Sequence, residues 1–325
     1  VKERGDLPES PRVTVAIRSR ERPDGLCATV GDVWAGTRLP DELVVVCQGA
    51  GAEEAVRLLR REVPGVVPVL RFYASSRAGA SRNWNDALRL ATGDFIAFAD
   101  DDMRVPQDWL ASMLEVWNED WAGEPVLLTG PILAPADSAD PNVVPGQRKG
   151  AAKRVWREPT AEDVLFGGHF GAPRIAYELA GSPPFDERFG PGTRFPGAGD
   201  IAFALRLLRA GVPVVFDPSI RVTHMARAEE WVGDLFRHSQ GNGALFVHRL
   251  LSGEPRVLRM AANTLAGNLA KGLRAAARGR FRESAGRFAL ILGIMYGAGR
   301  WIVTRAGKTP SAVSPRPGDL RQIGP

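Results

Sequence analysis

The sequence predicts an α/β fold, a mostly parallel sheet with helices flanking it. Three observations carry the prediction. Short apolar runs of strand length alternate with helical segments from Val13 to Trp117. The runs are rich in β-branched residues and apolar throughout, as strands buried on both faces are. The composition, 44% hydrophobic and 24% charged over 325 residues, is that of a globular chain with a large core.

Strands are expected at 13–17 (VTVAI), 43–47 (LVVVC), 66–73 and 95–99 (FIAFA), with helices at 26–34, 53–63, 80–91 and 106–117. The second helix sets Ala55, Val56, Leu58 and Leu59 against charged neighbours, and the fourth carries Pro106 in its first turn, where proline is tolerated. A strand follows at 126–132, then a long loop over 134–158, rich in Pro, Ala, Gly and charge. The pattern resumes with a strand at 167–172, a helix at 174–179, a Gly/Pro-rich loop over 181–199, a helix over 201–209 opened by Asp200 and closed by Gly211, and a strand at 214–217. Beyond Ala228 the chain reads as helical, and no internal repeat is present.

Cys27 and Cys47 lie in apolar stretches; two cysteines exclude a disulfide framework and a zinc site, and suit a reducing, cytoplasmic setting. The formal net charge is +5, and the excess belongs to the tail: residues 249–305 hold many Arg and Lys but two acids, Glu254 and Glu283. The N-terminal VKERGDLPESPR lacks the apolar region of a secretory signal. The longest apolar run, 288–299, falls short of the roughly 20 residues of a membrane span. The expectation is a cytoplasmic chain, peripheral at most on the inner face of the membrane. Two partners fit the basic amphipathic helices: an anionic membrane surface, suiting a lipid-linked acceptor, or the catalytic domain or a second subunit of a homodimer. Nucleic acid is not an expected partner. From Lys308 the chain is Pro-rich and reads as a disordered tail.

The segment GDFIAFADDDMRVP places Asp100, Asp101 and Asp102 directly after a strand. Side chains alternate along an extended chain, so Asp100 and Asp102 share one side and Asp101 takes the other. In a parallel sheet this end borders the ligand crevice. Three adjacent carboxylates repel one another, and a hard divalent cation with oxygen ligands relieves the repulsion. Acids preceding the helix at Pro106 fit the same residues without any ligand.

Six segments in order, from Val13 to His224, resemble the GT-A glycosyltransferases of the family 2 type: VTVAIRSRERP, ELVVVCQG, AGASRNWNDALRLATGDFIAFADDD, FGGHFGAPR with FDERFG, GAGDIAFALRLLRAG and FDPSIRVTH. The resemblance covers about two-thirds of the chain. It implies a GT-A, Rossmann-like domain over 1–250, followed by a C-terminal helical extension over 251–307 and the tail over 308–325. Two positions depart from the family pattern. Cys47 and Gln48 stand where paired aspartates are common, and Gly199-Asp200 stands where Glu-Asp is common.

By this resemblance Asp102 ligates a Mg²⁺ or Mn²⁺ ion, Asp100 and Asp101 contact the donor's ribose or support the metal shell, and His224 completes the coordination. Arg18, Ser19, Glu21, Gln48, Arg77 and Arg82 are candidates for the nucleotide-sugar donor. His169, Arg174, Trp231 and His238 are candidates for the acceptor side, a sugar, a lipid-linked or a small-molecule hydroxyl. Asp200 is the candidate general base of an inverting transfer. An N-cap role for Asp200 and a structural role for His224 fit the same residues. Two other activities remain open on the sequence: a catalytically inactive nucleotide-binding scaffold, and a sugar nucleotidyltransferase; the segment GTRLP at 36–40 resembles the signature of the latter, but it precedes the second strand, lacks the preceding glycines and reads as a connecting loop.

Overall fold

The apolar runs near the N-terminus pack side by side at the centre of one sheet. The structure, a computed structural model, describes residues 11–135, 152–159, 165, 167–225, 231–305 and 319–323. In chain order the elements are β1 (Val13–Arg20), α1 (Pro23–Trp34), β2 (Glu42–Gln48), α2 (Ala52–Glu62), a 3-10 turn (Pro64–Val69), β3 (Leu70–Ser75), α3 (Ala80–Leu90) and β4 (Phe95–Asp100). There follow β5 (Met103–Arg104), α4 (Trp109–Trp121), β6 (Leu127–Thr129), β7 (Ile132–Leu133), β8 (Arg154–Trp156), β9 (His169–Pro173), α5 (Arg174–Leu179) and α6 (Gly199–Arg209). The chain continues through β10 (Val214–Phe216), β11 (Val222–His224), α7 (Trp231–Leu251), α8 (Val257–Ala277), α9 (Phe281–Arg305) and β12 (Leu320–Ile323).

The main sheet runs β12-β3-β2-β1-β4-β9-β6-β10-β8. Its core, β3-β2-β1-β4, is parallel, while β9, β8 and β12 pair antiparallel with their neighbours. β2 lies on one side of β1 and β4 on the other, so the winding reverses at β1, and the crevice beyond the carboxyl ends of β1 and β4 is where such sheets bind ligands. Both ends carry charge: Arg18 to Arg22 on one and Asp100 to Asp102 on the other, with Arg18 in register with Asp100.

The pleat sorts the apolar residues onto two faces. Val13, Val15 and Ile17 join α1, α2 and α4 in one core; Ala16, Val44 and Val46 join α3, α5 and α6 in the other. In the second core, Trp84, Phe98, Phe170, Tyr177, Phe185 and Phe203 form a continuous ring cluster, with Phe185 and Phe203 centred 4.2 Å apart. Such pairs add about 0.5–1.5 kcal/mol each beyond the area they bury. The cluster fixes α6, which begins with the Gly199-Asp200 pair, against β4 and β9. A third core joins Phe195, Ala198 and Ile201 to Leu245, Ile294 and Trp301 of α7 and α9. There α9 meets α7 backbone to backbone: a Cβ on Gly297 would lie 2.0 Å from the Gln240 carbonyl oxygen, and one on Gly243 1.9 Å from that of Ile294.

Three elements differ from the sequence reading. The third strand starts at Leu70 rather than at Val66, because Pro64 and Pro68 bracket a 3-10 turn. The run at 126–132 is two strands in two sheets: Gly130 passes so close to Ile220 that a Cβ would lie 1.7 Å from its carbonyl oxygen, and after it β7 pairs with β11 in a small sheet, β5-β11-β7. The tail expected to be disordered from Lys308 contains β12, which pairs antiparallel with β3 from Leu320 beside Ser75 to Ile323 beside Phe72. Residues 306–318 lie outside those described, as does most of the 134–158 loop; its described part includes β8.

Candidate active site

The three aspartates stand at the end of β4; Asp100 meets Arg18, while Asp101 and Asp102 share Arg22. Arg18 grips Asp100 in a bidentate pair, Nε to Oδ1 at 2.5 Å and Nη2 to Oδ2 at 2.6 Å, and its guanidinium lies 4.4 Å from the centre of the Trp84 ring. Asp101 turns the other way, as the alternation predicts, and is buried. It accepts hydrogen bonds from the Ser19 hydroxyl at 2.7 Å, the Arg20 amide and Arg22. Burial pushes the Asp101 carboxyl up to about 6, against the pull of the Ser19 hydroxyl and Arg22. A Cβ on Gly25 would sit 2.5 Å from the Asp101 carbonyl oxygen, so only glycine lets α1 approach this turn.

Asp102 faces the cleft beside two cations or would-be cations: Arg22 Nη1 at 2.5 Å and His224 Nε2 at 3.5 Å. Burial opposes its charge, but the bond and charge of His224 and then Arg22 hold its carboxyl well below the usual carboxylate range. His224 is brought there by the small sheet, in which it pairs with Met103, and the Met225 amide donates to the Asp102 carbonyl. The His224 Nδ1 is buried with no hydrogen-bond partner among the described residues. No three His, Cys, Asp or Glu side chains converge among the described residues. One carboxylate and one imidazole, with diphosphate oxygens supplied by a substrate, suffice for a divalent ion, so the donor set fits such a metal.

Asp200 stands at the start of α6, where the helix dipole favours a carboxylate. Its Oδ2 accepts from the Gly167 amide at 2.6 Å and its Oδ1 from the Ile201 amide at 2.9 Å. A Cβ on Gly167 would lie 3.3 Å from the Trp84 ring and 3.4 Å from Asp200 Oδ2. Trp84 therefore has Arg18 on one side and the Gly167–Asp200 contact on another, which brings Asp200 within electrostatic reach of Arg18 and so near the Arg18–Asp100 pair. Burial raises the Asp200 carboxyl, against the two amide bonds and the charge of Arg18.

The remaining expected residues divide. Glu21 caps the β1 end in a left-handed conformation, φ 54°, against Gly49. Arg82 is half exposed near the cleft but held by Glu187. His238 on α7 lies within electrostatic reach of Asp200 and Arg18; burial lowers its ring pKa. Trp231 opens α7, and its side chain lies outside those described. Gln48 spends its amide donors inside the fold, on the Arg77 and Gly79 carbonyls and on Asn83 Oδ1 at 2.7 Å, rather than presenting them to a base. Arg77 is buried against Asp86 and Glu187, which neutralise it before any phosphate arrives.

His169 and Arg174 do not face an acceptor. The His169 ring is wholly buried between Trp109 and the Gly130 carbonyl, and burial lowers it to about 4, against the bond to that carbonyl. Arg174 binds the Ala91 and Gly93 carbonyls at the amino end of β4, the opposite end from the aspartates. Two residues that shape the cleft, Arg22 and Trp84, were not singled out by the sequence. Only the fold shows that Trp84 is buried beneath Arg18 and that the half-exposed Arg22 bonds Asp101 and Asp102.

The fold of this frame, an α/β sheet with an acidic turn, a facing arginine strand and a helix-start aspartate, is similar to that of GT-A glycosyltransferase structures. Residues 14–125 match the family model of glycosyl transferase family 2. The glucosyl-dolichyl phosphate glucuronosyltransferase of Haloferax volcanii is 30% identical over 105 residues, 32% of this chain and 33% of that protein. The chain thus matches about a third of that relative's length. Among solved structures, the mannosyltransferase PcManGT of Pyrobaculum calidifontis, in complex with GDP-Man and Mn²⁺, superimposes with a TM-score of 0.58 at 19% identity, covering 90% of this chain and 87% of that one. GalNAc-T7 with UDP, GalNAc and Mn²⁺ gives 0.50 at 16% identity, covering 72% of this chain and 48% of that one.

Proposed function

We propose that the chain transfers a sugar from a nucleoside diphosphate donor to an acceptor hydroxyl, with inversion, and that Asp200 is the base. The observation that carries the reading is the placement of Asp200: a carboxylate fixed by two backbone amides, raised by burial, and set across Trp84 from the Arg18–Asp100 pair. Asp200 Oδ2 accepts from the Gly167 amide and Oδ1 from the Ile201 amide, and a carboxylate's four lone-pair sites leave room for an incoming hydroxyl. The acceptor O–H proton passes to Asp200 as that oxygen bonds the anomeric carbon, and the bond from that carbon to the diphosphate oxygen breaks on the opposite face. The proton later leaves to solvent.

Asp102 and His224 would hold a divalent cation, which supplies charge stabilisation to the leaving diphosphate. Arg22 neutralises Asp102 without it. Arg18, locked by Asp100 and Trp84 and neutralised by that carboxylate, fixes the wall of the site rather than offering a free charge to phosphate. The Mn²⁺ and nucleotide groups named with the two structural neighbours support a metal and a nucleotide-sugar donor, without choosing between Mg²⁺ and Mn²⁺.

Calorimetric titration of UDP, GDP and dTDP, with and without Mn²⁺, tests the donor half of the proposal. One nucleotide should bind in a metal-dependent manner, and Asp102→Ala should abolish that dependence. Binding to none of them with metal present would overturn it. Pyrophosphate release from a nucleoside triphosphate and a sugar phosphate would assign the site to nucleotidyl transfer instead.

A further inference from the structure

The last two long helices carry more apolar surface than the fold uses. α9 buries one face against α7 through Gly293, Gly297 and Trp301. A second stripe, Phe281, Ala285, Phe288, Leu292, Met295 and Ile302, follows the 4-3 spacing of one helix face and stays outside. Phe281 is 73% exposed, Leu292 58% and Ile302 61%. α8 repeats the pattern: Val257, Met260 and Ala275 are buried, while Leu258, Leu269 and Leu273 are exposed. Phe288 packs on Gly272, and Arg287 bonds the Asn268 side chain, so the two stripes adjoin along the seam of one hairpin. A continuous exposed apolar face of this kind marks an interaction surface.

Charge selects the partner. Arg259, Lys271, Arg274, Arg278, Arg280 and Arg282 are exposed along α8 and around the hairpin tip, and Phe281 projects among the last three. From 255 to 305 the one acid is Glu283, and it is paired with Arg280. A second copy of this face would bring basic rim against basic rim, and like-charge juxtaposition works against docking. An anionic lipid surface satisfies both features: acyl chains take the stripe and headgroups take the rim. No helix among the described residues is long and apolar enough to cross a membrane, which leaves lying on it.

We propose that the α8–α9 hairpin is a membrane-binding surface, lying in the interface of an anionic bilayer with Phe281, Leu292 and Leu273 immersed. The proposal stands apart from the transfer reaction, since it uses no residue of the cleft.

Vesicle flotation of the whole chain tests it, comparing phosphatidylcholine with phosphatidylcholine containing about 30 mol% phosphatidylglycerol, enough for a strong negative surface potential. The chain should float with the anionic vesicles and stay down with the neutral ones. Leu292→Asp and Phe281→Asp, and separately Arg278→Gln with Arg280→Gln and Arg282→Gln, should each lower the bound fraction roughly tenfold. These side chains are exposed, so circular dichroism and melting should match the parent. Arg57→Gln, on the exposed face of α2, should float unchanged. Failure of the parent chain to bind anionic vesicles would overturn the proposal. So would a dimer by light scattering that Leu292→Asp converts to monomer, which would assign the face to a second copy.

Discussion

Arg18 and Asp100 face each other across the β1–β4 register and share two hydrogen bonds, with the guanidinium laid over Trp84. The pair is largely withdrawn from solvent and ties the two strands that border the cleft. Removing one partner of such a pair strands a buried charge at a cost of about 3–5 kcal/mol, while removing both costs far less. Arg18→Met should therefore lower the urea midpoint markedly, and Arg18→Met with Asp100→Leu should recover most of it. Equal losses in the single and double variants would show that the pair is not the source.

Asp200→Asn keeps the side chain's shape but removes the base. Transfer should fall by about 10²–10⁴-fold with nucleotide binding unchanged. The folded-state pKa of Asp200 is raised, so the folded chain holds this proton more tightly than the unfolded one, and stability falls as pH rises from the unfolded value through the folded one. At neutral pH the asparagine variant should melt higher than the parent. A variant that keeps its transfer rate would remove Asp200 from the chemistry.

The same raised pKa sets the acid limb of the rate profile. Transfer needs Asp200 ionised, so kcat should decline at a pH above the range of an ordinary exposed aspartate. Initial rates across pH, at saturating donor, check this. A limb at the position of an unperturbed carboxylate would argue against Asp200 as the titrating base.

His169 gives a pH effect on stability rather than on turnover. Its folded pKa is about 4 against an ordinary 6.5, so its contribution is present above 6.5 and is lost as pH falls toward 4, in total about 3 kcal/mol. The raised Asp101 and Asp200 carboxyls act in the opposite direction over the same window, so the difference in urea stability between the parent and His169→Gln, followed from pH 7 to 4, should carry this slope. A changed acceptor KM in that variant, with the slope intact, would restore His169 to the acceptor side.

His224→Ala should weaken Mn²⁺ binding in the presence of nucleotide by about 10–100-fold, the usual range for a lost metal contact. Manganese electron paramagnetic resonance reads the free ion directly. Unchanged binding would mean that Asp102 and the diphosphate hold the ion without the imidazole.

How much of this was legible in the chain follows from what each feature depends on. The strands 13–17, 43–47 and 95–99, the helices at 80–91 and 201–209 and the acidic turn rest on local periodicity, which side-chain alternation and helix pitch write into neighbouring residues. Asp101 turning away from Asp100 was readable for the same reason, but its sharing of Arg22 with Asp102 was not, because the chain leaves the strand for a turn there. Arg22 and Trp84 were not, because what makes them part of the cleft is contact with residues 79 and 83 positions away in the chain, Asp101 and Gly167. His169 and Arg174 misled because a polar residue beside a suggestive motif looks alike in sequence whether it bonds a buried carbonyl or faces solvent. β12 was hidden by its length: four residues in a Pro-rich tail carry too little pattern, and their strand state comes from the open edge of β3. The sequence by itself determined the sheet, the helices and the chemical types at the strand ends. Tertiary packing alone decided which charges neutralise one another, which carboxylate stands across the cleft, and which apolar stripe was left outside, because those depend on distances between segments that local sequence does not encode.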